Sequence, residues 1–407
     1  MKLKTEILVS LVVFACETAV VARAQNAVDV DPFIGISGLG HVTPAAAAPF
    51  GMVQAGPDTS GNPDRFVADW AHTGGYQHGD EWLWRFSQTH ISGTGCSSLG
   101  DFGLLPYVDG FDGATNPARM LKETERAEPG FYAVVLDEDG TRIGCEVSAL
   151  AHSAVYRFLY PKGKRVKMLL DLDWGMGDVW KSGCWGRRVE ACECVFMSAR
   201  SVRGGRRMWN WNDYRIYFAM EFSAPVVTKR MLRDADGVRG EVYEIDFGIS
   251  ENGVIEVRLG LSFGSSEAAV KNLEAEMPRF DFAAVRMKST ADWNEVLSRV
   301  ELVVGTSDAV AKSFRAALYR TMFQPNLVSD LGDSPRYSTF SLWDTFRAAH
   351  PLYTLVATER VADFVNSMLD QYDRQGYLPI WAIGGNDNHF MIGLRWGLSP
   401  WTENVDV

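Results

Sequence analysis

The sequence predicts a chain of two parts, in which a large β-sandwich is followed by an all-helical region. From Val28 to Phe263, short segments rich in Val, Ile, Leu and aromatic residues are separated by Gly, Asp, Asn or Pro turns. After Ser266 the apolar residues recur at helical spacing instead. The expected boundaries are 1–24 for an export signal, 25–265 for the sandwich, 266–305 for a helical linker and 306–407 for the helical domain.

The β region is predicted from many short strands without long helices between them, a pattern typical of sandwiches. The clearest strand begins at Val254, where apolar and polar residues alternate almost strictly and indicate a half-buried strand. Further strands are expected at Phe131–Leu136, Ala154–Leu159, Val166–Leu170 and Tyr214–Phe222.

The helical region is predicted from apolar spacing and from capping residues. The expected helices are Ser266–Glu276, Phe282–Val300, a helix capped by Ser307 that runs to about Phe323, Trp343–His350 and Val356–Tyr372. A short extended piece at Val300–Val304 precedes the third helix, and Pro325 ends it. In the last helix Val361, Phe364, Met368 and Leu369 form one apolar stripe, which is expected to be core.

Composition excludes one class of partner. The formal net charge is -11, and a nucleic-acid partner would require a dense basic surface. The local run Arg203, Arg206 and Arg207 is therefore interpreted as a solvated loop. Thirteen Trp residues fit either large sandwich cores or a carbohydrate cleft, because an indole face stacks well on a sugar ring; composition does not separate these readings.

The N-terminus predicts export. Lys2 and Lys4 precede a short apolar run, Ile7–Ala15, and Ala22-Arg23-Ala24 forms a small-x-small cleavage site. The run is too short for a permanent membrane anchor. Val13-Phe14-Ala15-Cys16 also resembles a lipoprotein box, which leaves a lipid anchor at Cys16 open. The expected location is the periplasm, the cell surface or the exterior of a bacterium.

The remaining cysteines, Cys96, Cys145, Cys184, Cys192 and Cys194, are scattered and include no CxxC pair. Neither a disulfide framework nor a zinc site is indicated. Cys192-Glu193-Cys194 alternates like a strand, with both sulfurs on one face.

Four stretches are dense in Gly, His, Asp and aromatic residues. They are 31–52, 75–96, 337–345 and 376–387. Glycine-rich loops let the backbone approach a ligand, and Trp343 followed by Asp344 supplies a ring face and a carboxylate suited to a sugar hydroxyl. Each feature also has a structural interpretation: Ser-Gly-Thr-Gly as a tight turn, His41, His90 and His389 as hydrogen-bonded residues, and Asp344 as a carboxylate at a helix N-terminus.

The ordered blocks DPFIG, PFGMVQ, GY, THISGTGC, ALYRTMFQPN, YSTFSLWDTFRAAHPLYT, DFVNSML, GYLPIW, GN-acid and MIG run from about Val28 to Gly393. In this combination the chain resembles glycoside hydrolase family 92, the exo-acting α-mannosidases. The resemblance implies an N-terminal β-sandwich packed on an (α/α)6 barrel, of which this chain holds only the first helices. It also implies mannose-containing glycans as substrates, a calcium ion and hydrolysis with inversion.

The resemblance also implies site residues. Trp343 and Asp344 match contacts to the terminal sugar, and the loop with His90, Ser92, Gly93, Thr94 and Cys96 matches a wall of the same pocket. The acid position is a Glu after Gly-Asn in the family, and here it is Asp387 after Gly385-Asn386. The shorter side chain places its carboxyl about an ångström back, a misplacement that can cost about 100-fold in rate. Asn386 is expected to lie beside the ligand, and no calcium ligand can be assigned by name.

The family pattern is lost after Gly393, where Gly397 and Pro400 would break a continuing helix. The base carboxylates of the family lie beyond this point, so the sequence predicts that hydrolysis is impaired in this chain. Two alternatives stay open: a non-catalytic carbohydrate-binding fragment, and a structural sandwich whose barrel is completed by a separate chain.

Overall fold

The computed structural model of the chain describes residues 22–24, 26–66, 69–179, 181, 186–210, 212–303 and 305–389. Cys16, Cys184, most of the expected export signal and the atypical residues 394–407 lie outside these ranges. Among the described helices, none combines the length and the apolar character that a membrane crossing requires.

Twenty-two strands are described, and most of them precede the first α-helix. The strands β1 to β22 are Ala22–Ala24, Ala46–Ala47, Gln54–Ser60, Trp82–Ser87, Gly103–Val108, Ala118–Glu128, Phe131–Glu138, Thr141–Ala149, Ser153–Leu159, Arg165–Asp171, Arg188–Phe196, Ser201–Asn210, Asn212–Phe222, Thr228–Arg233, Val242–Ile249, Val254–Ser262, Glu301–Val303, Asn326–Leu327, Tyr337–Ser338, Phe340–Ser341, Trp381–Ile383 and Asn386–Asp387. All five strands predicted from the sequence are present, with bounds that shift by up to two residues.

Six α-helices follow the large sheet or lie between the short C-terminal strands. The helices α1 to α6 are Ser266–Glu276, Phe282–Leu297, Asp308–Thr321, Leu342–Thr345, Ala349–Val356 and Thr358–Gln375. Two 3-10 turns, Ala27–Asp29 and Trp70–His72, lie in the β region.

A fifteen-stranded antiparallel sheet forms the N-terminal domain, in the order β11-β12-β13-β16-β9-β8-β7-β6-β4-β5-β10-β15-β14, with β2 and β3 attached to β4. Strands from distant places in this order meet face to face. The rings of Phe222 on β13 and Phe247 on β15 lie 5.4 Å apart, and those of Phe196 on β11 and Tyr243 on β15 lie 5.6 Å apart. The sheet therefore folds back on itself around one shared core, and the prediction of a large β domain is confirmed.

The strand β16 shows how the helices begin to cover this sheet. Its alternation holds at first, since Ile255 and Val257 are buried while Val254 and Glu256 are partly exposed. From Val257 onward every residue is buried, because α1 packs on the outer face. A Cβ on Gly260 would lie only 2.4 Å from the carbonyl oxygen of Ala269 on α1, so this contact requires glycine.

The predicted helices agree with the structure except in one place. Helix α1 has the predicted bounds, and the Ser265 hydroxyl accepts a capping bond from the Ala268 N–H at 3.1 Å. Ser307 occupies the N-cap position of α3, but its side chain makes no capping bond. The single helix predicted at Trp343–His350 is wrong, since α4 ends at Thr345 and α5 starts at Ala349. Pro351 explains the break, because it is tolerated in the first turn of a helix and not in its interior.

The interpretation of the arginine run as a solvated loop is also wrong. Arg203, Arg206 and Arg207 lie on β12, and the Arg206 side chain is fully buried. Its guanidinium pairs at 2.5 Å with the carboxylate of Asp101, which is also fully buried. The positive charge of Arg206 therefore has its counter-charge inside the domain. The alternation of Cys192 and Cys194 on β11 is confirmed, and both residues pack against the main core.

The helical region docks on the β domain through Phe50 and its neighbours. Phe50 is 1% exposed, and its ring packs against Tyr353 on α5 and Phe364 on α6. The ring centroids lie 5.6 and 5.5 Å away. The Trp293 indole of α2 donates to the Ala47 carbonyl at 2.6 Å, and the Phe50 N–H donates to the Met322 carbonyl at 2.7 Å. The two parts thus share a second core.

Residues 22–24, predicted as the end of an export signal, form β1 and pair antiparallel with β17. Cleavage before Gln25 stays a prediction, as do the four predicted ranges of the domain division.

Candidate active site

A small sheet in the helical region gathers three of the predicted site residues. Strand β20 pairs with β21, and β21 pairs with β22, so that Ser341 faces Trp381 and Ala382 faces Asp387. Trp343 and Asp344 follow β20 directly in the short helix α4. The structure therefore brings Trp343, Asp344 and Asp387 to one local framework, although they are distant in sequence.

Trp343 and Asp344 are both accessible. Half of the Trp343 surface is exposed, and Asp344 is exposed as well. The Asp344 carboxylate accepts a hydrogen bond from the Ser341 hydroxyl. An exposed indole and an exposed carboxylate on adjacent residues can supply a stacking face and a hydrogen-bond acceptor to one ligand.

Asp387 does not present its carboxyl to the surface. The residue is 4% exposed, its Oδ2 accepts from the Ile380 N–H at 2.9 Å, and its Oδ1 accepts from the His389 N–H at 2.8 Å. Both oxygens are thus engaged by the backbone on either side. A role as proton donor requires the side chain to leave at least one of these bonds and turn outward.

Asn386, beside it, is exposed and donates from its side-chain amide to the Asp213 carbonyl at 2.8 Å. Its side chain therefore faces the β domain in this structure, and contact with a ligand stays a prediction.

On the β domain, His90 is enclosed and cannot contact a ligand directly in this arrangement. Its side chain is 0% exposed, with Nδ1 2.7 Å from the Gln54 carbonyl and Nε2 3.1 Å from Asp58 Oδ1. Gly75, at φ +82°, leaves the space for this pair, since a Cβ there would lie 2.3 Å from Asp58 Oδ1. The structural interpretation of His90 therefore fits the geometry, and its direct substrate contact is not supported by it.

The rest of the predicted loop is more open. Gly93 is exposed at φ +85°, and its N–H donates to the His41 carbonyl at 2.7 Å. The Thr94 carbonyl accepts from the Thr73 hydroxyl at 2.7 Å. Ser92 and Thr94 are partly exposed, whereas Cys96 is 7% exposed and packs in the main core. Backbone and side-chain groups at 92–94 are thus the accessible part of this loop.

This loop contacts the helical region at the end of α3. In the orientation that gives both its oxygen and its nitrogen a hydrogen-bond partner, the Gln324 amide accepts from the Ser92 N–H at 2.8 Å. It also donates to the Ser92 carbonyl at 3.0 Å. A second link runs through Asp101, which accepts from the Thr89 hydroxyl at 2.5 Å and from the Tyr214 hydroxyl at 3.0 Å. The Tyr214 side chain in turn lies under Gly384, where a Cβ would be 2.9 Å from the Tyr214 Cβ and 3.0 Å from the first ring carbon.

The side chain of Trp70 packs against this loop from outside it, and the sequence analysis did not name Trp70 as a site residue. It is 50% exposed, its ring covers Gly95, where a Cβ would lie 2.5 Å from it, and it meets the His41 ring edge-on at 5.3 Å. The available signal was the nearby sequence Gly74, Gly75 and Tyr76, because these residues put Trp70 just before a stretch that is dense in Gly, His, Asp and aromatic residues.

His72 holds the turn that carries Trp70. Its Nδ1 lies 2.7 Å from Asp69 and its Nε2 lies 2.9 Å from Asp80, while Asp69 also caps the 3-10 turn. Burial disfavours the charged ring, but the hydrogen bonds to Asp80 and Asp69 outweigh it and raise the pKa of His72 above its usual 6.5. The His72 ring therefore bridges two carboxylates and fixes this turn, and these carboxylates favour its protonated form.

The stability of this turn is expected to depend on pH. Because the folded-state pKa is raised, the contribution of His72 is complete below about pH 6.5 and is lost as the pH rises through the folded-state pKa. Amide hydrogen exchange in residues 69–80 should therefore be slower at pH 6 than at pH 9, after correction for intrinsic rates. His72→Gln should remove the difference, while His78→Gln, an exposed histidine of the same segment, should retain it. Equal pH dependence in His72→Gln and the wild type would contradict the bridge.

The calcium ion implied by the resemblance finds no ligand cluster in this region. Within the ranges that the structure describes, no three His, Cys, Asp or Glu side chains are grouped so that they could hold a metal ion. No calcium ligand is therefore assigned among the described side chains, and calcium binding stays a prediction.

The structure defines a class of protein in which a large β domain packs on a helical region, with an accessible indole and carboxylate at Trp343 and Asp344 and an accessible loop at 92–94. Comparisons identify the family. The glycosyl hydrolase family 92 N-terminal domain matches residues 29–262, and the family 92 catalytic domain matches residues 268–396. The chain belongs to glycosyl hydrolase family 92.

Individual relatives agree with this family. An uncharacterized secreted glycosidase from Arthroderma benhamiae is 27% identical over an alignment of 390 residues, and the match covers 86% of this chain and 46% of the relative. A family 92 α-mannosidase from Bacteroides thetaiotaomicron, also solved with mannoimidazole, is 26% identical with a TM-score of 0.80, over 91% of this chain and 53% of that one.

A family 92 inverting mannosidase from Bacteroides thetaiotaomicron VPI-5482 shares the fold, with a TM-score of 0.76 and 23% identity over 92% of this chain and 52% of that one. The chain therefore spans about half the length of the relatives it matches.

Proposed function

We propose that the chain supplies the terminal-mannose-binding part of an exo-acting α-mannosidase site, at the junction of loop 92–94 and helix α4. The observation that supports this proposal is the small sheet β20–β21–β22, in which Asp387 lies on β22 and the accessible Trp343 and Asp344 follow β20. The 26% identity to an α-mannosidase solved with mannoimidazole supports mannosides as the ligand class. Export is supported by the fungal relative, which is described as secreted.

In this proposal the indole of Trp343 covers the apolar face of the terminal sugar, and Asp344 accepts hydrogen bonds from its hydroxyls. The backbone of Ser92, Gly93 and Thr94 forms the opposite wall, with the Trp70 ring beside it. Asn386 lies at the edge of this space. The helices α3 to α6 are the start of the (α/α)6 barrel that the resemblance implies.

Hydrolysis with inversion requires one carboxylic acid at the leaving oxygen and one carboxylate that activates water on the other face, about 6.5–9.5 Å away. We assign the acid to Asp387. Its carboxyl reaches a glycosidic oxygen only after leaving the Ile380 N–H, so ligand binding must be coupled to this rotation. Calcium dependence is a further part of the proposal, tested by chelation followed by calcium addition.

Calorimetry with mannose and α-mannobiose tests the binding site. Trp343→Ala should weaken binding by at least about ten-fold, because the loss of a stacked ring face removes about 1.5 kcal/mol or more of apolar burial. Phe314→Ala, which removes another partly exposed ring on α3, should leave the affinity unchanged. Equal affinity of Trp343→Ala and the wild type would overturn the assignment of this surface.

A second function is favoured by the inward orientation of Asp387. If the carboxyl never leaves the Ile380 and His389 N–H groups, the chain is a carbohydrate-binding protein without turnover. Mannose release measured beside the calorimetry, with and without calcium, separates the two functions: binding without release supports this second one.

A further inference from the structure

The strands that carry the proposed acid end in a tight turn held by the β domain. Ile383, Gly384, Gly385 and Asn386 form this turn between β21 and β22, with φ of +61° at Gly384 and +88° at Gly385. Positive φ at both central positions is typical of the type I′ turns of β-hairpins. Asp387 follows the turn directly, so its position depends on where the turn is fixed.

One side chain of the β domain holds both ends of this turn. The Asn212 amide nitrogen, at the start of β13, donates to the Ile383 carbonyl and to the Asn386 carbonyl, the latter at 2.9 Å. Asn212 is 7% exposed, and its side-chain oxygen accepts from the Asp213 N–H at 2.8 Å. Both the nitrogen and the oxygen of the amide are thus engaged in this arrangement.

The contact is reciprocal and closely packed. The Asn386 amide donates back to the Asp213 carbonyl at 2.8 Å, and the Tyr214 ring fills the space under Gly384. On the helical side, the Gly385 N–H donates to the Ser338 hydroxyl at 2.6 Å. The turn is therefore fixed from both domains, and Asn212 is the group that bonds to both of its ends.

We propose that Asn212 is a positioning residue for Asp387, because it fixes the Gly384–Gly385 turn across the domain boundary. The proposal rests on the proposed function in so far as Asp387 acts as the acid. Loosening the turn would displace the carboxyl by a distance that matters for proton transfer, since misplacement by about 1 Å can cost about 100-fold in rate. Substrates whose leaving group needs no proton would be spared.

Asn210 provides a matched control. It ends β12 opposite Asn212, is 1% exposed, and donates to the Met176 carbonyl at 3.0 Å inside the β domain instead of to the turn. Asn210→Ala and Asn212→Ala therefore remove the same group from the same hairpin, and only the second removes the contact with residues 383–386. Asn212→Asp, which keeps the side-chain shape and loses the donors, is a second variant in case the cavity in Asn212→Ala prevents folding.

The first measurement is amide hydrogen exchange of the full chain, which needs no activity. Exchange in residues 381–387 should be at least about ten-fold faster in Asn212→Ala or Asn212→Asp than in Asn210→Ala. Unchanged exchange would overturn the proposal.

The second measurement is hydrolysis of methyl α-mannoside and 2,4-dinitrophenyl α-mannoside. The Asn212 variants should lose about 10- to 100-fold on the methyl glycoside and less than about three-fold on the dinitrophenyl glycoside. Equal losses on both would show a merely structural role and overturn the assignment. If the wild type hydrolyses neither substrate, the assignment of Asp387 as a working acid in this chain fails, while the exchange comparison still decides whether Asn212 holds the turn.

Discussion

Asp387→Asn should lower the hydrolysis of alkyl α-mannosides by about 100-fold or more, because general acid catalysis contributes about 10²–10⁴-fold and an amide cannot donate this proton. Asp387→Glu should act in the opposite direction. The extra methylene carries the carboxyl about an ångström farther, beyond the Ile380 and His389 N–H groups that now engage it, and the rate on the same substrate should rise by up to about 100-fold. Mannose release under saturating substrate measures both.

Asp373→Asn, an exposed aspartate on α6, is the matched control and should leave the rate unchanged. Mannose affinity should change little in either Asp387 variant, since the proposed sugar contacts are made by other residues. Equal rates in the wild type, Asp387→Asn and Asp387→Glu would contradict the assignment of the acid.

Asp101→Asn should lower the free energy of unfolding by about 3–5 kcal/mol, since it leaves a fully buried guanidinium without its counter-charge. Arg206 and Asp101 are both 0% exposed and lie 2.5 Å apart, and Arg206 also donates to the carbonyls of Leu172 and Trp174. Urea unfolding followed by fluorescence measures the loss. Because Asp101 also accepts from Thr89 and Tyr214, the variant should loosen the link between the loop and β13 as well.

The control is an exposed ion pair of the same domain. Arg119 and Glu81 are 56% and 57% exposed and 3.4 Å apart, so Glu81→Gln should cost less than about 1 kcal/mol. A loss below about 1 kcal/mol in Asp101→Asn would show that the buried pair contributes little.

Local signals made much of the fold predictable. Helix α1 has the predicted bounds because Ser265 caps it, and the strands follow from apolar runs between turn residues. The break between α4 and α5 was also visible in principle, since Pro351 cannot lie inside a helix that starts at Trp343. The predicted helix Trp343–His350 stops one residue before this proline, so the prediction did not use the restriction that Pro351 places on the preceding turn.

Other features depend on partners far away in sequence. Arg206 looked like part of a basic loop because Asp101, 105 residues away, cannot be assigned to it from sequence. The contact of Asn212 with Ile383 spans 171 residues and is equally hidden. The site residues were named through motifs, and motifs fix residue types better than side-chain orientation. His90 is therefore enclosed, and Asp387 faces its own backbone, although both were expected to face the ligand.

The most direct measurement of the central claim is a crystal structure of the chain soaked with mannoimidazole. The inhibitor should lie between the backbone of Ser92–Thr94 and the side chains of Trp343 and Asp344, with the Asp387 carboxyl turned away from the Ile380 N–H. A ligand bound elsewhere, or an empty junction at saturating concentration, would contradict the account.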